Sequence, residues 1–101
     1  MVRVRHYTRV SSMRKIMAAL RIVARDQNKV FVEKSKSRRR APSDVEAKYQ
    51  LDIGKAMACV EFDIEEKLLL SQYNRRLRLH EWFIVGNVDL RGRNPMGYFD
   101  R

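Results

Sequence analysis

The chain has 101 residues, of which 45% are hydrophobic, and it carries a formal net charge of +10. That length suits one domain and excludes two, while the single cysteine, Cys59, excludes an internal disulfide and an all-cysteine metal site. No apolar run approaches the ~20 residues that span a bilayer, so we expect a cytoplasmic protein without a membrane segment.

Positive charge is unevenly distributed along the chain. Residues 1–40 carry +11, residues 41–74 carry −4, and residues 75–101 carry +3. Arginine outnumbers lysine by fifteen to seven, and the planar guanidinium group binds phosphate through two hydrogen bonds. Because positive charge remains after every acid is paired, this pattern predicts a basic surface that faces a polyanion.

The N-terminal residues alternate with the period of a strand from residue 2 to residue 9. One side carries Val2, Val4, His6 and Thr8, and the other carries Arg3, Arg5, Tyr7 and Arg9. Arginine for phosphate contact and tyrosine for base stacking are typical of single-strand binding surfaces. The alternative is a basic edge strand that repels edge-to-edge pairing.

A helix is predicted over roughly residues 12–26, with Ser11 or Ser12 as its N-cap. Apolar residues recur there at helical spacing and form one stripe: Met13, Ile16, Met17, Leu20, Val23 and Ala24. Three arginines lie on the opposite face: Arg14, Arg21 and Arg25.

A short strand is predicted next, because residues 29–34 alternate and include β-branched and aromatic side chains. It leads into a basic loop at residues 34–43, which contains three consecutive arginines at 38–40. Neighbouring arginines repel one another unless an anion relieves them. The loop is therefore predicted to clamp phosphates without reading sequence.

A second helix is predicted to begin at Ser43, where Ser43 and Glu46 fit a capping box just after Pro42. Gly54 either weakens this helix or ends it. Residues 54–62 are therefore left open between a continued helix and a strand.

A third helix is predicted from Asp63 to about Arg76, since Asp63 and Glu66 fit another capping box. A strand is predicted to follow and to end at Val85, and Gly86 and Asn87 are predicted to form a turn. Residues 88–90 are expected to form a short return, and the Gly- and Pro-containing residues 91–101 an irregular tail.

Together these elements predict an α+β fold. We expect one small domain over residues 1–90, with about three helices packed on a small, mainly antiparallel sheet. The basic loop at residues 34–43 and the irregular tail at residues 91–101 complete the chain.

Signatures of catalysis are sparse. The sequence has no glycine-rich phosphate loop, no metal-binding helix motif and no nucleophile elbow. His6 and His80 are too few for a zinc site, and helix capping explains the acids at 63, 65 and 66. We therefore expect no metal and no cofactor.

One stretch, EEKLLLSQYNRRLRLHEWF at residues 65–83, resembles the C-terminal half of small GIY-YIG nuclease domains. The resemblance implies that Glu66 is a metal-binding catalytic acid, that Leu69 and Tyr73 pack, and that magnesium is the cofactor. The upstream tyrosine motifs of that family are absent. The resemblance thus implies either a metal-dependent endonuclease or a degenerate relative that kept binding.

The function predicted from these patterns is non-enzymatic nucleic-acid binding, mainly through phosphate contacts and strongly weakened by salt. Trp82 is a further candidate for base stacking. The predicted nucleic-acid-binding residues are Arg3, Arg5, Tyr7, Arg9, Arg14, Arg21, Arg25, Arg38, Arg39, Arg40, Arg75, Arg76 and Arg78.

Two alternatives stay open beside this prediction. One is the GIY-YIG-like endonuclease that depends on Glu66. The other is a protein-interaction module, such as a subunit or a small phage-type inhibitor, whose basic half docks on an acidic partner. The sequence leaves a homodimer open as well.

Overall fold

The computed structural model describes residues 1–35 and 41–99. The elements in these ranges are the strands β1 (Val2–Thr8), β2 (Arg21–Ile22), β3 (Lys29–Lys34), β4 (Ala58–Ile64), β5 (Leu70–Asn74), β6 (Leu79–Val85), β7 (Val88–Asp89) and β8 (Met96–Phe99), and the helices α1 (Val10–Ala19) and α2 (Pro42–Tyr49). Two short 3-10 helices, at Asp26–Asn28 and Glu66–Leu68, complete the set.

Six of the strands form one sheet in the order β5-β6-β3-β1-β4-β8, and β2 pairs with β7 in a separate two-stranded ribbon. All of these pairings are antiparallel. The predicted α+β class and the mainly antiparallel sheet are confirmed. The described residues contain two α-helices, so the prediction of about three was too high.

The two faces of the large sheet differ in character. On one face, Val4, Val60 and Phe62 are completely buried, and they belong to a core that α1 and the ribbon close. On the opposite face, Arg5 pairs with Glu33 of β3 and Glu61 of β4. This second face, which we call the polar face, places charged groups at the centre of the sheet.

The first strand was predicted correctly, and it occupies an interior position rather than an edge. β1 pairs with β4 over seven positions on one side and meets β3 on the other. The alternative of a basic edge strand is therefore wrong. The alternation of residues 2–8 arises because the two sheet faces have different neighbours.

α1 is shorter than the predicted helix. It begins at Val10 after Arg9, so Ser11 and Ser12 lie inside its first turn rather than at its cap. It ends at Leu20, which is left-handed with φ 52°. Beyond it, Ile22 pairs with Val88 in the ribbon. That tertiary pairing removes residues 21–26 from the helix.

α2 begins at Pro42, one residue before the predicted start, because proline is favoured in the first helical turn. The Glu46 carboxylate accepts hydrogen bonds from the backbone N–H groups of Gly54 (3.0 Å) and Ala56 (3.3 Å) instead of closing a capping box. The helix ends at Tyr49, and β4 begins at residue 58. The open choice for residues 54–62 is thus decided in favour of a turn followed by a strand.

The predicted third helix is wrong. Residues 66–68 form a single 3-10 turn, and residues 70–74 form β5, which pairs with β6 across a tight turn. Leu69 is buried while Leu68 and Leu70 are exposed, so this segment alternates as a strand does. As a strand, β5 supplies ladder hydrogen bonds to one edge of β6, which a helix could not do.

Residues 88–99 also depart from the prediction. Val88 pairs with β2 and does not return along β6. Residues 96–99, which were expected to be irregular, form β8 against β4. Among the described helices, no segment is long and apolar enough to cross a membrane.

Candidate functional site

The sheet opens between β1 and β3. Their paired positions are Val4 with Lys34 and Arg5 with Glu33, whereas β1 stays paired with β4 as far as Thr8. We call the gap beyond these pairs the β1–β3 opening and define it by His6, Tyr7, Phe31 and Glu33. Where two strands separate, their backbone polar groups need partners other than the ladder hydrogen bonds.

A histidine bridges this opening. His6 Nδ1 lies 2.8 Å from the carbonyl oxygen of Phe31. A carbonyl only accepts, so Nδ1 carries the proton, and in the neutral ring Nε2 is left as an acceptor. Burial lowers the pKa of His6 below its ordinary value, and the hydrogen bond to Phe31 only partly opposes this. The imidazole is therefore neutral near pH 7.

Glu33 stands at the centre of a dense hydrogen-bond network. Tyr7 Oη donates to it at 2.8 Å and Tyr49 Oη at 3.2 Å, while an Arg5 guanidinium nitrogen lies 3.5 Å away. Arg5 Nε also donates to Ser35 Oγ and to Glu61, both at 3.1 Å. This network ties α2 to the polar face and places the positive charge of Arg5 between the carboxylates of Glu33 and Glu61.

The same contacts change the acidity of Tyr7. Burial raises the pKa of the Tyr7 phenol, and the nearby Glu33 carboxylate adds to this, against an opposing hydrogen bond from Arg5. Tyr7 therefore stays protonated and acts as a hydrogen-bond donor.

Glu81 lies beside Glu33 on the same face of the sheet. Val32 pairs with Trp82 in the antiparallel β3–β6 ladder, so Glu33 and Glu81 occupy the next pair of positions. Glu81 accepts hydrogen bonds from two neutral amides of β5, Gln72 Nε2 at 3.0 Å and Asn74 Nδ2 at 2.8 Å. Unlike Glu33, it has no arginine or lysine within ion-pair distance in the described structure.

Two aromatic rings follow on this face. Phe31 and Phe83 are cross-strand partners with ring centroids 6.2 Å apart. Lys29 Nζ lies 4.4 Å from the centroid of the Phe83 ring. Glu81 therefore lies two positions along β6 from the buried Phe83, which packs against the half-buried ring of Phe31.

The arginines predicted to form one basic surface are dispersed. Arg5 is buried within its glutamates, and Arg3 donates to Asp63 at 3.2 Å and to the carbonyl of Asn94 at 2.8 Å. Tyr7 donates to Glu33 and is part of the opening. The remaining predicted arginines in the described ranges are exposed on α1, its flanks and the β5–β6 turn: Arg9, Arg14, Arg21, Arg25, Arg75, Arg76 and Arg78.

Two further predictions concern other residues. Arg38, Arg39 and Arg40 lie outside the described residues. Trp82, predicted to stack on bases, is half-buried, and Lys34 Nζ lies 4.2 Å from the centroid of its ring.

The acids near residue 65 do not gather into a metal site. Asp63 accepts from Arg3 and Asn94, and Glu65 accepts from Arg93 at 2.9 Å. Glu66 begins the 3-10 turn and is exposed. Within the described ranges, no group of three or more His, Cys, Asp or Glu residues is placed to hold a metal ion.

Sequence reasoning missed the residues at the centre of this site: Glu33, Tyr49, Gln72, Asn74 and Glu81. One signal was available, because Glu33 directly follows an apolar run of strand residues and Glu81 directly precedes one. An acid inside a central strand requires a partner or a function. The sequence could not show that these two acids lie next to each other, because their proximity depends on the pairing of β3 with β6.

A family model described as "HYD1 signature containing ADP-ribosyltransferase" matches residues 4–94. No curated protein and no solved structure matches the chain. The resemblance to GIY-YIG nucleases is therefore wrong, and so is the predicted function in non-enzymatic nucleic-acid binding. The structural reason is visible at residues 65–83, which fold into a turn and a hairpin instead of a helix that presents Glu66.

Proposed function

We propose that this chain, which belongs to the HYD1-signature family of ADP-ribosyltransferases, cleaves NAD⁺ and transfers the ADP-ribosyl group to an acceptor. Membership of that family is the observation that carries the proposal. The polar face supports the proposal, because it carries a carboxylate, Glu81, of the kind that this transfer requires.

The reaction breaks the bond between C1′ of a ribose and the ring nitrogen of nicotinamide. The electron pair leaves with the nicotinamide, and an oxygen or nitrogen of the acceptor bonds to C1′ and releases its proton to solvent. Displacement at a sugar C1 passes through an oxocarbenium-like transition state, which a carboxylate stabilises. The site must therefore supply an anion that no cation has already neutralised.

Glu81 meets this requirement and Glu33 does not. Glu33 accepts hydrogen bonds from two tyrosine hydroxyls and lies within ion-pair distance of Arg5, so its oxygens already have donors and a cation beside them. The partners of Glu81 are neutral amides, which fix its direction without cancelling its charge. We assign Glu81 as the carboxylate that stabilises the ribosyl cation.

The β1–β3 opening would receive the nicotinamide end of NAD⁺. The half-buried ring of Phe31, which packs against the buried Phe83, offers a surface on which the flat nicotinamide can stack. Nε2 of His6, the acceptor nitrogen of a neutral ring, suits a ribose hydroxyl. The network around Glu33 keeps β1, β3 and α2 in place around this opening.

The test is release of nicotinamide from NAD⁺ by the purified protein, with water as the acceptor. Glu81→Gln keeps the size and shape of the side chain, but it replaces one carboxylate oxygen by an NH2 group and removes the negative charge. We expect it to lower kcat by at least about 100-fold, the range seen when an electrostatic stabiliser of a transition state is lost.

Glu66→Gln is the matched control, because it makes the same chemical change at an exposed glutamate on the 3-10 turn. It should leave nicotinamide release unchanged. Equal activity of wild type and Glu81→Gln would remove Glu81 from the reaction. A wild-type protein that neither binds NAD⁺ in calorimetry nor releases nicotinamide from it would contradict the proposed function itself.

A further inference from the structure

We propose that Asn74 and Gln72, two amide side chains of β5, are positioning residues that hold the Glu81 carboxylate in the direction in which it acts. This inference rests on the proposed function. It concerns residues that do not touch the substrate and act through Glu81.

The Gln72 amide can present only its nitrogen to Glu81. Its oxygen Oε1 accepts a hydrogen bond from Lys29 Nζ at 2.9 Å, and an ammonium group is a donor without acceptor capacity. The amide orientation is therefore determined by Lys29. Nε2 then points at Glu81 Oε2, 3.0 Å away.

Asn74 is oriented in the same way by a different donor. Its Oδ1 accepts from the backbone N–H of Leu77 at 3.0 Å, inside the β5–β6 turn. A backbone N–H also only donates, so Nδ2 is left for Glu81 Oε1 at 2.8 Å. Each carboxylate oxygen of Glu81 thus receives one amide, and each amide is oriented by a second donor.

This arrangement fixes the carboxylate more firmly than packing alone would. Gln72 and Glu81 are cross-strand partners on β5 and β6, and Asn74 approaches from two residues further along β5. Two bonds from one rigid strand define both the plane and the tilt of the carboxylate. Because misplacing a catalytic group by about 1 Å costs roughly 100-fold in rate, loss of either amide should reduce turnover.

Asn74→Asp tests the amide bond while sparing the turn. Aspartate has the same shape, and its carboxylate still accepts from the Leu77 N–H, but it cannot donate to Glu81 and it places a like charge beside it. We expect kcat for NAD⁺ cleavage to fall roughly tenfold to hundredfold with KM nearly unchanged. The low-pH limb of the rate profile should move to higher pH.

Asn94→Asp is the matched control. Asn94 Nδ2 donates to the Asp63 carboxylate at 2.9 Å, so the substitution creates the same repulsion near a carboxylate outside the site. Its kcat and pH profile should equal those of wild type. If Asn74→Asp keeps the wild-type kcat and pH profile, Asn74 does not position Glu81.

A second measurement needs no activity. Thermal unfolding of Asn74→Asp is compared in the wild-type and the Glu81→Gln backgrounds, which forms a double-mutant cycle. We expect Asn74→Asp to lower Tm in the wild-type background and to lower it much less when Glu81 has lost its charge. Equal losses in both backgrounds would overturn the positioning role, whereas absence of NAD⁺ cleavage by the wild type would overturn only the proposed function.

Discussion

Arg5 and Glu61 face each other across β1 and β4, with Arg5 Nε 3.1 Å from a Glu61 carboxylate oxygen. Their side chains are only 4% and 14% exposed. A charge buried to this extent must keep its partners, because its loss of hydration is otherwise uncompensated. The basic composition of the chain therefore serves, at this residue, to hold the sheet together rather than to face a ligand.

Arg5→Ala should be strongly destabilising. It leaves Glu33 and Glu61 as neighbouring, poorly hydrated carboxylates without their cation. We expect the free energy of unfolding to fall by about 3–5 kcal/mol, as for other buried pairs that lose one partner. Urea denaturation followed by far-UV circular dichroism measures this change.

Arg3→Ala provides the comparison on the same strand. The Arg3–Asp63 pair is 30% and 25% exposed, so solvent screens it and its loss should cost about 1 kcal/mol or less. Equal effects of the two substitutions would show that the burial of Arg5 has no energetic consequence.

The stability of the protein should fall between neutral pH and about pH 5 because of His6. Burial lowers the folded-state pKa of His6 below the unfolded value of about 6.5. Above that value both states hold a neutral ring and His6 contributes no pH dependence. As pH falls through about 6.5, the unfolded state takes up a proton that the folded state does not, so unfolding becomes more favourable.

Urea midpoints at about pH 7.5 and pH 5 measure this loss, and His6→Asn should flatten it. His80→Gln, at an exposed histidine of β6, should keep the wild-type dependence. Asp89 does not titrate in this interval, since hydrogen bonds from Arg91 lower its pKa to about 2. An unchanged pH dependence in His6→Asn would exclude the imidazole as its source.

Gln50→Gly should stabilise the protein. Gln50 ends α2 in the left-handed conformation with φ 53°, and its side chain is exposed. Glycine adopts this conformation without the steric cost that other residues bear. After allowance for the greater freedom of glycine in the unfolded chain, we expect a gain of about 0.5–1 kcal/mol in the free energy of unfolding.

Ala47→Gly, at an exposed position inside the same helix, should instead destabilise by about 1 kcal/mol. Thermal unfolding of Gln50→Gly and Ala47→Gly measures both changes in stability. A loss of stability in Gln50→Gly would mean that the left-handed residue is not strained at this helix end.

The elements that sequence predicted well are those whose pattern is local. β1, β3 and β6 alternate because each interior strand has two unlike faces, and this alternation is readable in residues 2–8, 29–34 and 79–85. The segment at 63–76 was misread because Ile64, Leu68 and Leu69 also satisfy a helical spacing. The available edge of β6 decided in favour of a strand, and that edge belongs to another part of the chain.

The candidate site could not be predicted for the same reason. Tyr7 was predicted to stack on bases, whereas in the structure it donates a hydrogen bond to Glu33. Glu33 and Glu81 are 48 positions apart in the sequence, and neither has a motif around it. Their proximity follows from one antiparallel pairing that no single segment encodes.

The amino-acid sequence by itself determined the chemical groups, the net charge of +10 and the two-faced character of the interior strands. These are properties of single residues and of their immediate order. Tertiary structure alone decided which charges are neutralised and which stay available, because an arginine is neutralised by whichever carboxylate the fold brings within a few ångströms. Arg5 therefore became a buried cation between Glu33 and Glu61, whereas Glu81 lies between two neutral amides.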